Sequence, residues 1–169
     1  RLDEPYRTML GHFRHEVGHY YQWQLVESDP ALLERCRALF GDERANYQAA
    51  VDRHYAEGPP AGWTATHISS YATMHPYEDF AETWAHYLHI CDTIETAVSY
   101  GLVSADELNA HERFRDLVTA VWMPLSTALN LVNRSMGKDD LYPFALPDAV
   151  LTKLDFVASL RPAVSIPTR

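Results

Sequence analysis

Apolar residues recur at spacings of three and four almost throughout this chain, and its sparse glycines and prolines stand where those runs stop. This pattern constrains the fold more than any other feature, because a 3.6-residue period gathers an apolar stripe only on a helix. The chain has 169 residues and only 7 glycines, and no two stretches pair convincingly as strands. A mainly helical fold with little or no β-sheet is therefore expected. A first helix should run from about Pro5 to Glu27, with Asp3 as its cap and Pro5 in its first turn. Ser28 or Asp29 opens a second helix that Gly41 ends, and Asp42 opens a third that Gly58 ends. "GPPAGW", residues 58–63, breaks the pattern, and residues 64–75 read as a loop with a short extended piece. Pro76 starts a fourth helix that reaches about Tyr100 and stops at Gly101. Ser104 and Glu107 form a capping-box pattern for a fifth, which Pro124 should kink or split. Residues 141–147 are irregular, and a last helix covers about Asp148–Leu160. The expected organisation is a single domain over residues 1–169, with an active-site core at 4–100, a helical part at 101–160 and a tail at 161–169.

Net charge is −9, counting His as neutral, so the surface repels phosphate backbones and nucleic acid is not an expected partner. The least polar stretch, residues 117–132, carries Thr119, Pro124, Ser126, Thr127 and Asn130. It reads as a buried core helix, so no membrane partner is expected either. The opening "RLDEPYRTML" has no apolar run and does not read as a signal peptide. Cys36 and Cys91 both sit inside helical patterns, far apart in sequence. They are expected to be reduced core thiols, which suits a cytoplasmic location.

The chemistry concentrates in "GHFRHEVGHYY", residues 11–21. His15 and His19 are four apart, one turn apart on the same helical face, so both imidazoles can reach one ion. Glu16 lies about 100° around the helix from His15. It cannot easily ligate the same ion, but it can hold a water activated there and take its proton. A helical wheel puts Tyr6, Leu10, Phe13, Val17 and Tyr20 on the apolar face. His12, His15 and His19 form an adjacent stripe bordering a cleft, with Glu16 on the boundary towards the core. A catalytic zinc needs a third protein ligand and an open position. Six residues beyond His19 stands Leu25, so the ligand must come from elsewhere. The fourth helix offers Glu78 and Glu82, four apart on one face, with Phe80, Trp84, Tyr87 and Cys91 on the opposite, apolar face. Packed beside the first helix, it would point acid at the histidines. Glu78 would ligate, and Glu82 would accept the other ring N–H of a ligand His and fix its tautomer.

His15–His19 followed by Glu78-x-x-x-Glu82 resembles the gluzincin metallopeptidases, in which a Glu on a second helix is the third zinc ligand. The Tyr71, Glu78 and Glu82 arrangement looks like the lethal-factor-type subgroup. That resemblance implies that Tyr71, seven residues before Glu78, stabilises the transition state. "EPYRTMLGHFRHEVGHYY", "FGDERANYQAAVDRHYAEGPP" and "HPYEDFAETWAHYLHI" more closely resemble the bacterial family of "putative zinc-binding metallopeptidases", over about residues 4–100. Full-length members of that family look to carry an N-terminal zinc ribbon, whereas this chain has no CxxC pair. Gluzincins generally place a β-sheet before the His-Glu helix, which here begins almost at once.

The expectation is thus a zincin-like helical fold whose HExxH helix packs against a Glu-bearing helix. Zn²⁺ is held by His15, His19 and Glu78, with Glu16 as general base, Tyr71 as oxyanion donor and Glu82 as support for a ligand His. Peptide bonds of a peptide or protein substrate are hydrolysed. Two alternatives stand beside it: a zinc-binding regulatory or interaction module that cleaves nothing, and a helical bundle without metal. His86 and His89 are expected to make supporting or core hydrogen bonds, His75 to start the fourth helix, and His12 to edge the cleft. No partners are evident for His54, His67 and His111. Trp63, Trp84 and Trp122 read as core.

Overall fold

The structure is a computed structural model that describes residues 8–160. Those residues are mainly helical, as the apolar spacing requires, and no strand is present among them. Helix α1 spans Met9–Tyr21 and continues as wider π-type turns over Gln22–Glu27. Its cap is Thr8, in extended conformation, whose hydroxyl accepts from Gly11 N. This replaces the expected start near Pro5; Asp3, Pro5 and Tyr6 lie outside the described residues, as does the tail at 161–169. Helix α2, Pro30–Phe40, is capped by Asp29 and ends at Gly41. Helix α3 is Tyr47–Glu57 and ends at Gly58. Asp42 does not open it. Asp42 closes a turn with Arg44 instead, and Asn46 caps the helix by accepting from Ala49 N. Residues 64–75 contain no extended strand; two short 3₁₀ turns, Trp63–Ala65 and Tyr71–Thr73, fold the segment compactly.

Helix α4, Pro76–Ser99, is the axis of the fold. His75 caps it, Pro76 occupies its first turn, and Gly101 follows its end with φ +71°. Its aromatic and aliphatic side chains Phe80, Trp84, Ile90 and Ile94 are buried among Val26, Phe40, Val118, Trp122, Val150 and Leu154. Tyr87 joins this core, Cys91 packs at its edge, and Trp63 is half-buried. Helix α5 is short, Ala105–Asn109, with the expected Ser104–Glu107 capping box. Helix α6, Phe114–Leu117, runs through π-type turns at Val118–Trp122 into α7, Met123–Ser135. Pro124 sits in the first turn of α7, where its missing N–H is accommodated by the widened turns before it. The expected buried helix over 117–132 is therefore only half right. Val118, Val121 and Trp122 are core, whereas Leu131 and Val132 of α7 face outwards. The polar residues that interrupt this stretch explain the division. Asn130 spends its amide on the backbone of Tyr142, pinning the irregular segment after α7. Helix α8, Asp148–Ser159, closes the core against α4, and its buried Lys153 pairs with Asp79 and Thr66 O. Cys36 and Cys91 are not in a disulfide, and burial pushes the Cys36 thiol up to about 12.

The face that α1 turns inwards is not the one its apolar pattern marks. Leu10, Phe13 and Tyr20 are 55, 66 and 55% exposed, while Gly11, His15, Gly18, Gln22 and Val26 are buried. The reason is the closeness of α1 to α4. A Cβ on Gly18 would stand 2.9 Å from Ala81 Cα and 3.1 Å from Trp84 Cβ, so the backbones meet where only a hydrogen fits.

Candidate metal centre

The Gly18–Ala81 crossing sets His15 against α4, and Glu78 and Glu82 meet it there. His15 Nδ1 lies 2.7 Å from Glu82 Oε1 and its Nε2 lies 3.0 Å from Glu78 Oε2. His19 Nε2 lies 3.1 Å from His15 Nε2 and 3.6 Å from Glu78 Oε1. His15, His19 and Glu78 each offer one ligand atom, all within 4.8 Å of one another. Donors about 2.1 Å from a tetrahedral zinc stand ~3.4 Å apart, so these spacings fit the edges of such a site. Two imidazoles and one carboxylate are also a donor set that suits zinc.

The surroundings hold these donors in place. Glu82 accepts from Ser69 Oγ at 2.6 Å on its second oxygen, and Ser69 in turn accepts from Ala72 N. With Glu82 accepting from Nδ1–H, His15 presents Nε2 to the group. Burial opposes charge on His15, but the hydrogen bonds and charges of Glu78 and Glu82 outweigh it and raise its pKa to about 9. Burial likewise opposes ionisation of Glu78, yet its hydrogen bonds to His15 and His19 hold it well below the usual carboxylate range. Glu82 is lowered too, against burial, by its hydrogen bond to His15.

The group forms the floor of an open cavity of about 670 Å³ whose walls include Met9, His12, Glu16, Tyr47, Tyr55 and Tyr71. Glu16 does not point to the core, as the wheel suggested. Its side chain is 58% exposed, on the cavity rim, 3.7 Å from His12 Nε2. It follows His15 by one residue, so an inward His15 turns Glu16 aside to the opening. Tyr71 sits in the last 3₁₀ turn before α4, its ring 5.8 Å from that of His15 and edge-on to buried His54. Burial and the Glu78 carboxylate raise its hydroxyl pKa, so it stays a proton donor.

Reading the residues in order misses Tyr47, Ser69 and His54. Tyr47, at the start of α3, donates to Glu78 Oε1 at 3.0 Å. Nothing in the sequence marks it, because the contact depends on how α3 lies against α4. His75 is the α4 cap; His86 meets Tyr142 Oη at 2.9 Å and His89 meets Arg14 at 3.3 Å. His67 lies 3.6 Å from Asp79 and 2.9 Å from Thr66 Oγ1. No helix among the described residues is long and apolar enough to cross a membrane.

The sequence profile of a family described as "putative zinc-binding metallo-peptidase" matches residues 1–160. An uncharacterised protein of Mycobacterium bovis is 54% identical over 160 residues, which cover 92% of this chain and 47% of that protein. Uncharacterised proteins of two Mycobacterium tuberculosis strains match to the same extent. The chain thus spans about half the length of these relatives. No solved structure matches it.

Proposed function

The chain belongs to the "putative zinc-binding metallo-peptidase" family, and we propose that it is a gluzincin-like zinc peptidase that hydrolyses peptide bonds in a peptide or protein substrate. The observation that carries this reading is the convergence of His15, His19 and Glu78 at the base of an open cavity with Glu16 at its rim. His15, His19 and Glu78 would hold the ion. Zinc bound there would supply Lewis acidity, polarising a carbonyl and making a water acidic at neutral pH. Glu16 takes the proton of the attacking water and returns it to the leaving amine. Its exposed position lets it face both the water and the substrate. Tyr71, held protonated, donates to the oxygen that gains negative charge as the carbonyl carbon becomes tetrahedral. Glu82 and Ser69 keep His15 in one tautomer and one orientation.

The test is metal content and hydrolysis measured side by side. Wild-type protein should carry about one zinc per chain, lost on His15→Ala, His19→Ala or Glu78→Ala. Glu16→Gln should keep the zinc while hydrolysis of a peptide library falls by at least ~100-fold, the low end for a general base. Unchanged metal content in the three ligand variants would overturn the site. Wild-type protein that binds zinc but cleaves nothing in the library would favour a metal-binding module without peptidase activity.

A further inference from the structure

We propose that Tyr47 is a positioning residue for Glu78, fixing the rotation of its carboxylate against the His15–His19 pair. This rests on the metal-site reading above and adds a residue to it from a third element. The Tyr47 hydroxyl donates to Glu78 Oε1 at 3.0 Å; that oxygen also lies 3.6 Å from His19 Nε2, and Oε2 lies 3.0 Å from His15 Nε2. A carboxylate that gives one oxygen to a metal leaves the other needing a donor when it is buried, and Glu78 is buried. Its terminal torsion is otherwise soft, because a rotation about an sp³–sp² bond meets only a broad, two-fold preference. A donor on Oε1 restrains that freedom, beside the hydrogen bond between Tyr71 and Glu78. Tyr47 therefore does for Glu78 what Glu82 does for His15.

The hydroxyl is itself held. Asn46 caps α3 and so sets the direction in which Tyr47 leaves the helix. The Tyr47 ring packs edge-on against His75, with centroids 5.1 Å apart. His75 Nε2–H donates to Ala45 O at 3.0 Å, and its Nδ1 accepts from Tyr77 N at 3.2 Å. One imidazole thus caps the helix that carries Glu78 and ties down the loop that leads into Tyr47. Donor and acceptor are registered against each other through His75. This gives a physical reason for a buried His at a helix start where Ser, Asp or Asn would cap as well.

Tyr47→Phe keeps the ring on His75 and removes only the hydroxyl. Zinc affinity, measured by competition with a chromophoric chelator, should fall ~10–100-fold, the usual cost of losing a group that supports a ligand. The visible spectrum of the cobalt-loaded protein should change as the carboxylate reorients, with far-UV circular dichroism unchanged. His75→Asn retains a capping acceptor but is too short to reach Ala45 O; it should weaken zinc binding in the same direction while Tyr47 is intact. Wild-type protein that takes up neither metal overturns this proposal together with the metal-site reading. Wild-type protein that binds both, with a Tyr47→Phe variant of equal zinc affinity and identical cobalt spectrum, overturns the role of Tyr47 alone.

Discussion

The ring of Tyr71 packs against those of both His15 and His54, at the wall of the cavity. If its hydroxyl serves the developing oxyanion, it binds the transition state more strongly than the substrate. Tyr71→Phe should therefore lower kcat by about 10²–10³-fold and leave KM and zinc content nearly unchanged. Steady-state kinetics of the variant on any cleavable peptide check this. Wild-type kcat would reduce Tyr71 to a packed ring. The residues of the site differ in how far the sequence announces them. His15, Glu16 and His19 are legible because their relation is local: one helix and a fixed period place them. Glu78 and Glu82 are half legible, since their spacing marks a face of α4 but not what it meets. Ser69, His54 and Tyr47 are invisible in the sequence, because each acts through a contact that only packing creates. Tyr71 lies between these cases, since its offset from Glu78 points to it only through resemblance.

At the level of elements, the pairing of α1 with α4 decides whether there is a site at all. Hydrophobic periodicity chose the wrong face of α1, because periodicity scores side chains for apolarity and glycine offers none. The true contact face runs Gly11, His15, Gly18, Gln22, Val26, and its value lies in smallness at the crossing and in a histidine that finds partners on α4. Gly18→Ala tests this. On an isolated helix Ala is favoured over Gly by about 1 kcal/mol. Here the added methyl would meet Ala81 Cα at 2.9 Å, and backbone cannot step aside as a flexible side chain can. Overpacking of this kind typically costs about 1–3 kcal/mol. The expected outcome is a melting temperature lowered by several degrees in scanning calorimetry, with weakened zinc binding as His15 is drawn away from Glu78. A raised melting temperature would show that the two helices separate freely.

Across the whole molecule, several histidines are stored neutral away from the metal group. Burial pushes His67, His86 and His89 each down to about 4, aided by Lys153 at His67 and, for His89, by Arg14. All three have folded values below the unfolded one, near 6.5. Their contribution to stability is present above about pH 6.5 and is lost as pH falls towards 4, because the unfolded chain takes up protons the folded one refuses. His15, raised to about 9, loses no stability in that window, and Asp79, raised to about 7 by burial, works the other way, but one carboxyl does not offset three imidazoles. The metal-free protein should melt at progressively lower temperature between pH 6.5 and 4, with net proton uptake on unfolding near ~pH 5.5. A melting temperature flat across that range would mean these histidines titrate normally. The helical class was legible from the start, since it follows from spacing alone. The division at Pro124 was legible too, whereas the break between α5 and α6 was not, because no proline or glycine marks residues 110–113.

The outward face of α1 carries Met9, Leu10, Phe13, Tyr20 and Trp23, all exposed, on a chain whose net charge is −9. In colloidal terms this is an amphiphile, with repulsion from its net charge and attraction at exposed apolar strips such as this one. Salt weakens the first and leaves the second untouched, since ions at physiological strength screen exposed charges beyond about 8 Å but do not hydrate hydrocarbon. Two copies of this chain are therefore kept apart best in dilute buffer well above the isoelectric point near 5.4, and the strip gains its hold as ionic strength rises.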